Sequence, residues 1–306
     1  MITVDGLYKN YGKIKALDNT SLHVNEGTIH GLIGPNGAGK STTIKILSTL
    51  IRPDSGEISI GDFPLNKGIA IRGLIGVVPE TPRLHEYLSA YQEITFYARL
   101  SGLNGMRASG RVESVIHDMD LAPVAHQPIS SFSTDMKKRV SLALAMVADP
   151  PILLLDEPMS GLDPVIRRQF KDIILKLTGK TILVSDHDLF TVDELCNRIT
   201  ILKDGKTLVE DDIESMRKRM GKLSVEIQPV RPKDAGKLAH ELGQLESVLS
   251  IEEENGWVIA IVSDPDRDIP AIIRTASNII DIKEARQSRI SLEEIFIKMA
   301  KGSDVQ

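Results

Sequence analysis

The sequence predicts an α/β domain over residues 1–215, followed by a small α+β domain over residues 222–306. In the first part, short apolar runs alternate with helical patterns, which is typical of a core with parallel strands. A glycine-rich loop near residue 34 joins one of these strands to a helix. Beyond residue 221 the pattern starts again as strand, helix, strand, strand, helix, strand, which is the order of a ferredoxin-like module.

Composition supports an ordinary globular protein. The 306 residues exceed what a single small domain usually needs, and the net charge of −5 gives no basic field that would attract nucleic acid. Cys196 is the only cysteine, so an internal disulfide is excluded, and we interpret it as a small buried hydrophobe. No apolar run approaches the roughly 18 to 20 residues that span a bilayer, and the N-terminus lacks a signal-like core. We therefore expect a soluble, cytoplasmic chain.

Strands and helices of the first domain follow from the apolar periodicity. The predicted strands are Ile2–Val4, Ser21–Val24, Thr28–Ile33, Ile152–Leu155 and Thr181–Val184, with a hairpin of 199–202 and 207–209 around Asp204-Gly205. The predicted helices are Ser41–Leu50, Tyr91–Leu100 and Arg111–Met119. The last two, separated by the breaker-rich stretch 101–110, indicate a helical subdomain over about residues 80–140.

The second domain is predicted to begin after the basic stretch Arg217-Lys218-Arg219 and Gly221, which we interpret as a solvated linker. Its expected elements are Leu223–Ile227, Ala235–Leu242, Val248–Glu252, Val258–Val262, Ile269–Ala276 and Ile279–Ala285. The spacing of Ser291 and Glu294 is that of a capping box, so a final helix is expected to start there.

A phosphate-binding loop is the strongest functional motif. It has the pattern GxxxxGK[ST] and lies between an apolar strand and a helix, and it reads Gly34-Pro35-Asn36-Gly37-Ala38-Gly39-Lys40-Ser41-Thr42. Its glycines allow backbone N–H groups to converge on phosphate oxygens at a helix N-terminus. Lys40 supplies a charge for the β- and γ-phosphates, and the Ser41 hydroxyl is suited to ligate Mg²⁺. The motif predicts a nucleotide-triphosphate site of the P-loop NTPase type.

A second element of the site follows the apolar strand 152–155, where Asp156 and Glu157 stand side by side. Neighbouring residues of a strand point in different directions, so the two carboxylates are expected to have different roles. Asp156 is expected to face Mg²⁺ and Glu157 to face the γ-phosphate.

From Tyr11 through His187 the chain resembles the ATPases of ABC transporters, whose elements occur here in order. The resemblance implies a cassette with a mixed sheet and a helical subdomain. It also implies that Tyr11 stacks on adenine, that Glu157 polarises the attacking water and that His187 contacts the γ-phosphate. The segment 160–163, Ser-Gly-Leu-Asp, matches the loop that links the two sites of a dimer.

Two positions depart from the family pattern. Glu80 stands where the family usually has a glutamine, and a carboxylate there can still ligate Mg²⁺ or its water. The signature segment, residues 132–136, reads Phe-Ser-Thr-Asp-Met in place of LSGGQ. Ser133 is expected to contact the γ-phosphate bound by the opposite subunit. Asp135 leaves two alternatives open, since its carboxylate can cap the helix or repel the phosphate.

The resemblance implies an ATP-hydrolysing subunit that works with Mg²⁺ in a head-to-tail dimer. A separate membrane permease is the implied partner, so the chain is expected on the cytoplasmic face of the membrane. The C-terminal part is similar to the tail of ABC-2 group ATPases, which favours export. The alternatives are a soluble ABC ATPase that acts on ribosomes or DNA, and a regulatory nucleotide-binding partner with little hydrolysis.

Overall fold

The computed structural model describes residues 1–220, 223–288 and 291–300. The chain divides into two compact units, residues 1–212 and residues 213–306. The limits that we expected from sequence, 1–215 and 222–306, place the boundary a few residues later and stay a proposal. Among the described residues, no helix is long and apolar enough to cross a bilayer.

A four-stranded antiparallel sheet opens the first unit. Its strands lie in the order β2-β1-β4-β5. They are β1 (Ile2–Tyr11), β2 (Ile14–Val24), β4 (Ser55–Ile60) and β5 (Phe63–Pro64). Strands β1 and β2 are far longer than the sequence predicted. Bulges interrupt their pairing at three places along β1, between residues 4 and 10, so the two-residue alternation of buried side chains is broken.

The six-stranded sheet carries the centre of the first unit, in the order β10-β9-β3-β8-β7-β6. Its strands are β3 (Ile29–Ile33), β6 (Ile75–Val78), β7 (Ile152–Asp156), β8 (Thr181–Asp186), β9 (Arg198–Lys203) and β10 (Lys206–Asp212). All neighbours are parallel except the hairpin β9–β10, so the sheet is mixed as predicted. Asp204 and Gly205 both have positive φ in the hairpin turn, as a two-residue turn of this kind requires.

Seven helices of the first unit connect these strands. They are α1 (Lys40–Leu47), α2 (Gly68–Leu74), α3 (Ala90–Leu100), α4 (Gly105–Asp118), α5 (Thr134–Met146), α6 (Pro164–Leu175) and α7 (Leu189–Leu195). Helices α3, α4 and α5 contact one another and form the helical part of the unit. Cys196 is buried directly after α7.

Helix α4 corrects the sequence analysis, which interpreted residues 101–110 as a separator between helices. The helix starts at Gly105 and includes Gly110. Its buried residues, Ala108, Val112, Val115 and Ile116, form one stripe. Burial of this stripe outweighs the cost of an interior glycine, which is about 1 kcal/mol.

The second unit contains the predicted ferredoxin-like order of elements. They are β11 (Leu223–Pro229), α9 (Ala235–Leu242), β12 (Val248–Glu254), β13 (Trp257–Val262), α10 (Pro265–Ile279) and β14 (Ile282–Ser288). The strands form an antiparallel sheet in the order β12-β13-β11-β14. Side chains from α9 and α10 pack on one face of this sheet, and together they form the core of the unit.

Two further helices belong to the second unit, α8 (Ile213–Met220) and α11 (Leu292–Ala300), and they contact each other. The basic stretch 217–219 therefore lies in a helix, and its interpretation as a linker is wrong. The buried side chains of Ile213 and Met216 give α8 an apolar face that the flanking charges obscure in the sequence. The capping box before α11 is confirmed: the Ser291 N–H donates to Glu294 (3.0 Å), and the Glu294 N–H donates to the Ser291 hydroxyl (3.2 Å). Gly221 lies outside the described residues.

Candidate nucleotide-binding site

The glycine-rich loop lies where the sequence predicted it, between β3 and α1. Gly34, Gly37 and Gly39 all have positive φ. At Gly34, a Cβ atom would meet the carbonyl oxygen of Leu202 at 2.3 Å, so a larger residue would push the loop away from β9. At Gly37 a Cβ would meet nothing within 4 Å, so space does not require glycine there. Its φ of 82° does, because residues with a Cβ rarely adopt this conformation. The loop ends at the N-terminus of α1, where backbone N–H groups lack partners within the helix.

Lys40 is the first residue of α1, and its side chain turns back into the loop. Its ammonium donates to the carbonyl oxygens of Gly34 (2.8 Å) and Pro35 (3.3 Å) and lies 3.5 Å from Glu157 Oε1. The residue is only 5% exposed. A buried cation is therefore held at the opening of the phosphate loop, in reach of the carboxylate that follows β7.

Ser41 and Asp156 meet directly, although 115 positions separate them in the chain. The Ser41 hydroxyl donates to Asp156 Oδ1 at 3.0 Å. The same carboxylate oxygen accepts a bond from the hydroxyl of Ser185 on β8, at 2.7 Å. Ser185 was not among the predicted site residues. The parallel register of β7 and β8 places it beside Asp156, and only strand pairing provides that information.

Glu157 follows β7 in a backbone conformation that L-residues rarely adopt, with φ of 44°. Its N–H donates to the Ser185 hydroxyl at 3.0 Å. Its carboxylate lies between two cationic or ionisable side chains, with Oε1 facing Lys40 and Oε2 at 3.1 Å from His187 Nδ1. The structure thus brings the side chains of Lys40, Glu157 and His187 together.

Asp186, immediately before His187, is buried and shapes the end of β8. Burial raises the pKa of its carboxyl, while N–H bonds from His187 (2.8 Å) and Asp188 (2.9 Å) act in the opposite direction. These two bonds fix the turn that carries His187. The imidazole itself is about half exposed.

Lys138, on α5, is a second residue of this region that the sequence analysis did not assign to the site. Its ammonium donates to the main-chain carbonyl oxygens of Glu157 (3.3 Å) and Pro158 (3.0 Å). The residue is only 4% exposed. Of the run 137–139, Lys138 and Arg139 are both buried, and a short basic run gives no sign in the sequence of which side chains turn inward.

Tyr11 is the last residue of a strand, and Glu80 lies just beyond the end of another. Tyr11 ends β1 and is 48% exposed, with the Lys9 ammonium 5.8 Å from its ring centroid. Glu80 is exposed two residues after β6, the strand that pairs in parallel with β7. An exposed aromatic ring suits stacking on a base, and a carboxylate at this edge suits a cation. Both assignments stay predictions.

The signature segment begins α5, with Ser133 at the N-cap. The Ser133 hydroxyl donates to the Asp135 carboxylate. Asp135 thus accepts its bond from a side chain rather than from a backbone amide, and the capping alternative is not what the structure contains. Both residues lie at the start of the helix. About one turn further along, the Lys138 ammonium donates to the Glu157 carbonyl oxygen.

Comparison with known proteins places these features in a family. Residues 17–160 match the family model described as ABC transporter, and residues 212–300 match the model described as ATP-binding protein DrrA1-3-like, C-terminal domain. The daunorubicin resistance ATP-binding protein DrrA3 of Streptomyces coeruleorubidus is 32% identical over 99% of this chain and 96% of its own length. This chain belongs to the ABC transporter ATP-binding proteins. It is an ABC-type ATPase of the DrrA-like group and binds ATP.

Other relatives of this ABC ATPase agree with the assignment. The doxorubicin resistance ATP-binding protein DrrA of Mycobacterium tuberculosis is 31% identical over 97% of this chain and 93% of its own length. Among solved structures, a dimeric post-hydrolysis ATP-binding cassette bound to ADP and Pi matches with a TM-score of 0.64 and 27% identity. It covers 70% of this chain, and the match includes 99% of that cassette. The predicted fold class, an ABC cassette followed by a small α+β domain, is confirmed.

Proposed function

We propose that this ABC ATPase hydrolyses Mg²⁺–ATP in a head-to-tail dimer and thereby drives export through a separate membrane permease. The observation that supports it most strongly is the cluster of Lys40, Glu157 and His187 at the phosphate loop, with Ser41 and Asp156 beside it. A phosphoryl-transfer site needs a cation for the phosphates, metal ligands and a group that orients water. This cluster contains one candidate for each.

Each side chain has a distinct task in this proposal. The ammonium of Lys40 exchanges the Gly34 and Pro35 carbonyl oxygens for phosphate oxygens, which carry more negative charge. Glu157 orients the attacking water and accepts its proton. His187 holds the Glu157 carboxylate from Nδ1 and is proposed to contact the γ-phosphate. Tyr11 provides an apolar face for adenine.

The residues fit a magnesium ion bound together with the nucleotide. Ser41 and Asp156 are proposed to hold it, and Glu80 to contact it or its water. Among the described residues, no three His, Cys, Asp or Glu side chains converge into a metal site of their own. This agrees with the proposal, because Mg²⁺ in such sites keeps waters and phosphate oxygens as most of its ligands. When bound, the ion would neutralise charge that develops on the phosphates.

The dimer is supported by the signature segment, which the family resemblance assigns to the nucleotide of the opposite subunit. Ser133 and Asp135 lie at the start of α5. In the proposed dimer, Ser133 of one copy contacts the nucleotide held by the other. Solved cassettes of similar fold, including the ADP-bound neighbour, are described as dimeric.

Export is supported by the C-terminal module and by the relatives that are described as drug-resistance ATP-binding proteins. We expect a purified, tagged form of this chain to retain a multispan membrane protein from detergent-solubilised membranes of its own organism. Mass spectrometry of the captured material is the measurement. Added permease should also change the rate of ATP hydrolysis. Capture of ribosomes or DNA, with no membrane protein retained, would favour the soluble ABC ATPase instead.

Asp135 is expected to restrain hydrolysis, because it binds the hydroxyl that Ser133 needs for the opposite nucleotide and adds a negative charge there. We expect Asp135→Gly to raise the maximal rate of hydrolysis about tenfold, as removal of one charged hydrogen bond suggests. Steady-state rates of the assembled transporter measure this effect.

Asp135→Asn is the matched variant, since it keeps an acceptor for Ser133 and removes the charge. If only Asp135→Gly is faster, the hydrogen bond to Ser133 is the restraint. If both variants are faster, the charge is responsible. Unchanged rates in both would contradict the restraint and would favour a partner chain that supplies a different signature.

A further inference from the structure

Lys138 has a position that is costly for a lysine. It lies on α5 among residues that are almost fully covered, and it is 4% exposed. Its ammonium donates to the main-chain carbonyl oxygens of two successive residues, Glu157 (3.3 Å) and Pro158 (3.0 Å). Because a buried cation without partners is strongly destabilising, a lysine is kept inside only where its donors are used.

The backbone that Lys138 binds is itself under strain. With φ of 44°, Glu157 has a conformation that costs a residue with a Cβ of the order of 1–3 kcal/mol and that persists only when its surroundings impose it. On the amide side, the N–H of Glu157 bonds to Ser185. On the carbonyl side, the Glu157 oxygen accepts from the Ser160 N–H (3.1 Å) and from Lys138.

Three carboxylates near the Lys138 ammonium counter part of the cost of its burial. Burial lowers the pKa of Lys138, and the positive charge of Arg167 acts in the same direction. The carboxylates of Glu80, Asp186 and Glu157 oppose this effect. An apolar side chain in this place would leave the Glu157 and Pro158 carbonyl oxygens without this donor.

We propose that Lys138 is a positioning residue, which fixes the orientation of the Glu157 carboxylate by clamping the main chain of Glu157 and Pro158 to helix α5. The proposal rests on the proposed role of Glu157 as the base. Ser133, which we propose contacts the nucleotide of the opposite subunit, is the N-cap residue of helix α5. The clamp therefore connects the helix that recognises one nucleotide to the residue that cleaves the other.

The test compares variants of the full chain under saturating Mg²⁺–ATP. Lys138→Met keeps the length of the side chain and removes the donors, so we expect kcat to fall about 10- to 100-fold, while KM and the affinity for a fluorescent ATP analogue stay within twofold. Lys138→Gln keeps one donor and no charge and is expected to be intermediate. Lys138→Arg is expected to recover part of the loss.

Lys137→Met is the matched control. Lys137 is the neighbouring lysine on the same helix, and its ammonium pairs with Glu86 near the surface, 2.7 Å away. We expect this variant to retain the wild-type kcat. Thermal unfolding of each variant identifies any that fail to fold, and Lys138→Gln serves if Lys138→Met does not.

The outcomes separate this inference from the proposed function. A wild-type kcat in Lys138→Met, with hydrolysis lost in Glu157→Gln, overturns the clamp and leaves the base in place. Equal losses in kcat, nucleotide affinity and melting temperature in both Lys138→Met and Lys138→Gln also overturn it, because they indicate general damage. If Glu157→Gln hydrolyses ATP at the wild-type rate, the proposed base is wrong and the clamp has no catalytic purpose.

Discussion

Glu157→Gln is expected to reduce ATP hydrolysis about 10²- to 10⁴-fold, the range attributed to a positioned general base. The amide has nearly the same shape as the carboxylate, so it can still accept a hydrogen bond from His187 Nδ1. In the wild type this nitrogen lies 3.1 Å from Glu157 Oε2. It cannot take a proton from water, and it loses the ion pair to Lys40. ATP affinity should be retained, and the variant should accumulate as an ATP-bound dimer.

Phosphate release and size-exclusion chromatography in ATP measure the two effects. Glu194→Gln is the matched control, because Glu194 is a carboxylate on α7 that pairs with Lys171 at the surface. We expect this variant to hydrolyse ATP at the wild-type rate and to dimerise as the wild type does. Full activity in Glu157→Gln would exclude Glu157 as the base, and failure to dimerise with ATP would count against the head-to-tail dimer.

Lys40→Ala is expected to weaken nucleotide binding strongly. The change removes the buried cation of the phosphate loop and leaves the Glu157 carboxylate without its ion pair. Loss of one partner of a buried charged contact costs about 2–5 kcal/mol, which corresponds to a decrease in affinity of about 30- to 5000-fold. Titration with a fluorescent ATP analogue in Mg²⁺ measures the decrease.

Lys45→Ala provides the control for this change. Lys45 is exposed in the last turn of the same helix, and we expect its loss to leave nucleotide affinity within twofold. A melting temperature close to wild type in Lys40→Ala shows that the loop still folds. Wild-type affinity in a folded Lys40→Ala protein would contradict the phosphate site and every role assigned around it.

The local sequence pattern was sufficient to predict those elements whose characteristic residues are neighbours in the chain. The glycine loop, the strand 152–156, the hairpin turn at Asp204 and Gly205 and the order of the second unit all have such signals, and the structure contains them. Helix α4 and helix α8 were misjudged because glycines or a run of charges masked a buried stripe. Strands β1 and β2 were underestimated because bulges disrupt the alternation of side chains.

The site likewise has features that the sequence reveals and contacts that it does not. The sequence by itself determined which chemical groups are present: a glycine loop with Lys40 and Ser41, paired carboxylates after a buried strand, and a histidine after another. These motifs are continuous in the chain, so they can be recognised without coordinates. The sequence also predicted the order of the elements in the second unit, and through the resemblance it predicted the family.

Only the tertiary structure decided how these groups meet. The pairing of β7 with β8 places Ser185 on Asp156 and Glu157, and the packing of α5 brings Lys138 to the Glu157 backbone. The Ser133 hydroxyl donates to Asp135, a contact that neither of the two alternatives from sequence included. Hydrogen bonds and ion pairs act over about 3 Å between side chains far apart in the chain, and strand register and helix packing fix those distances.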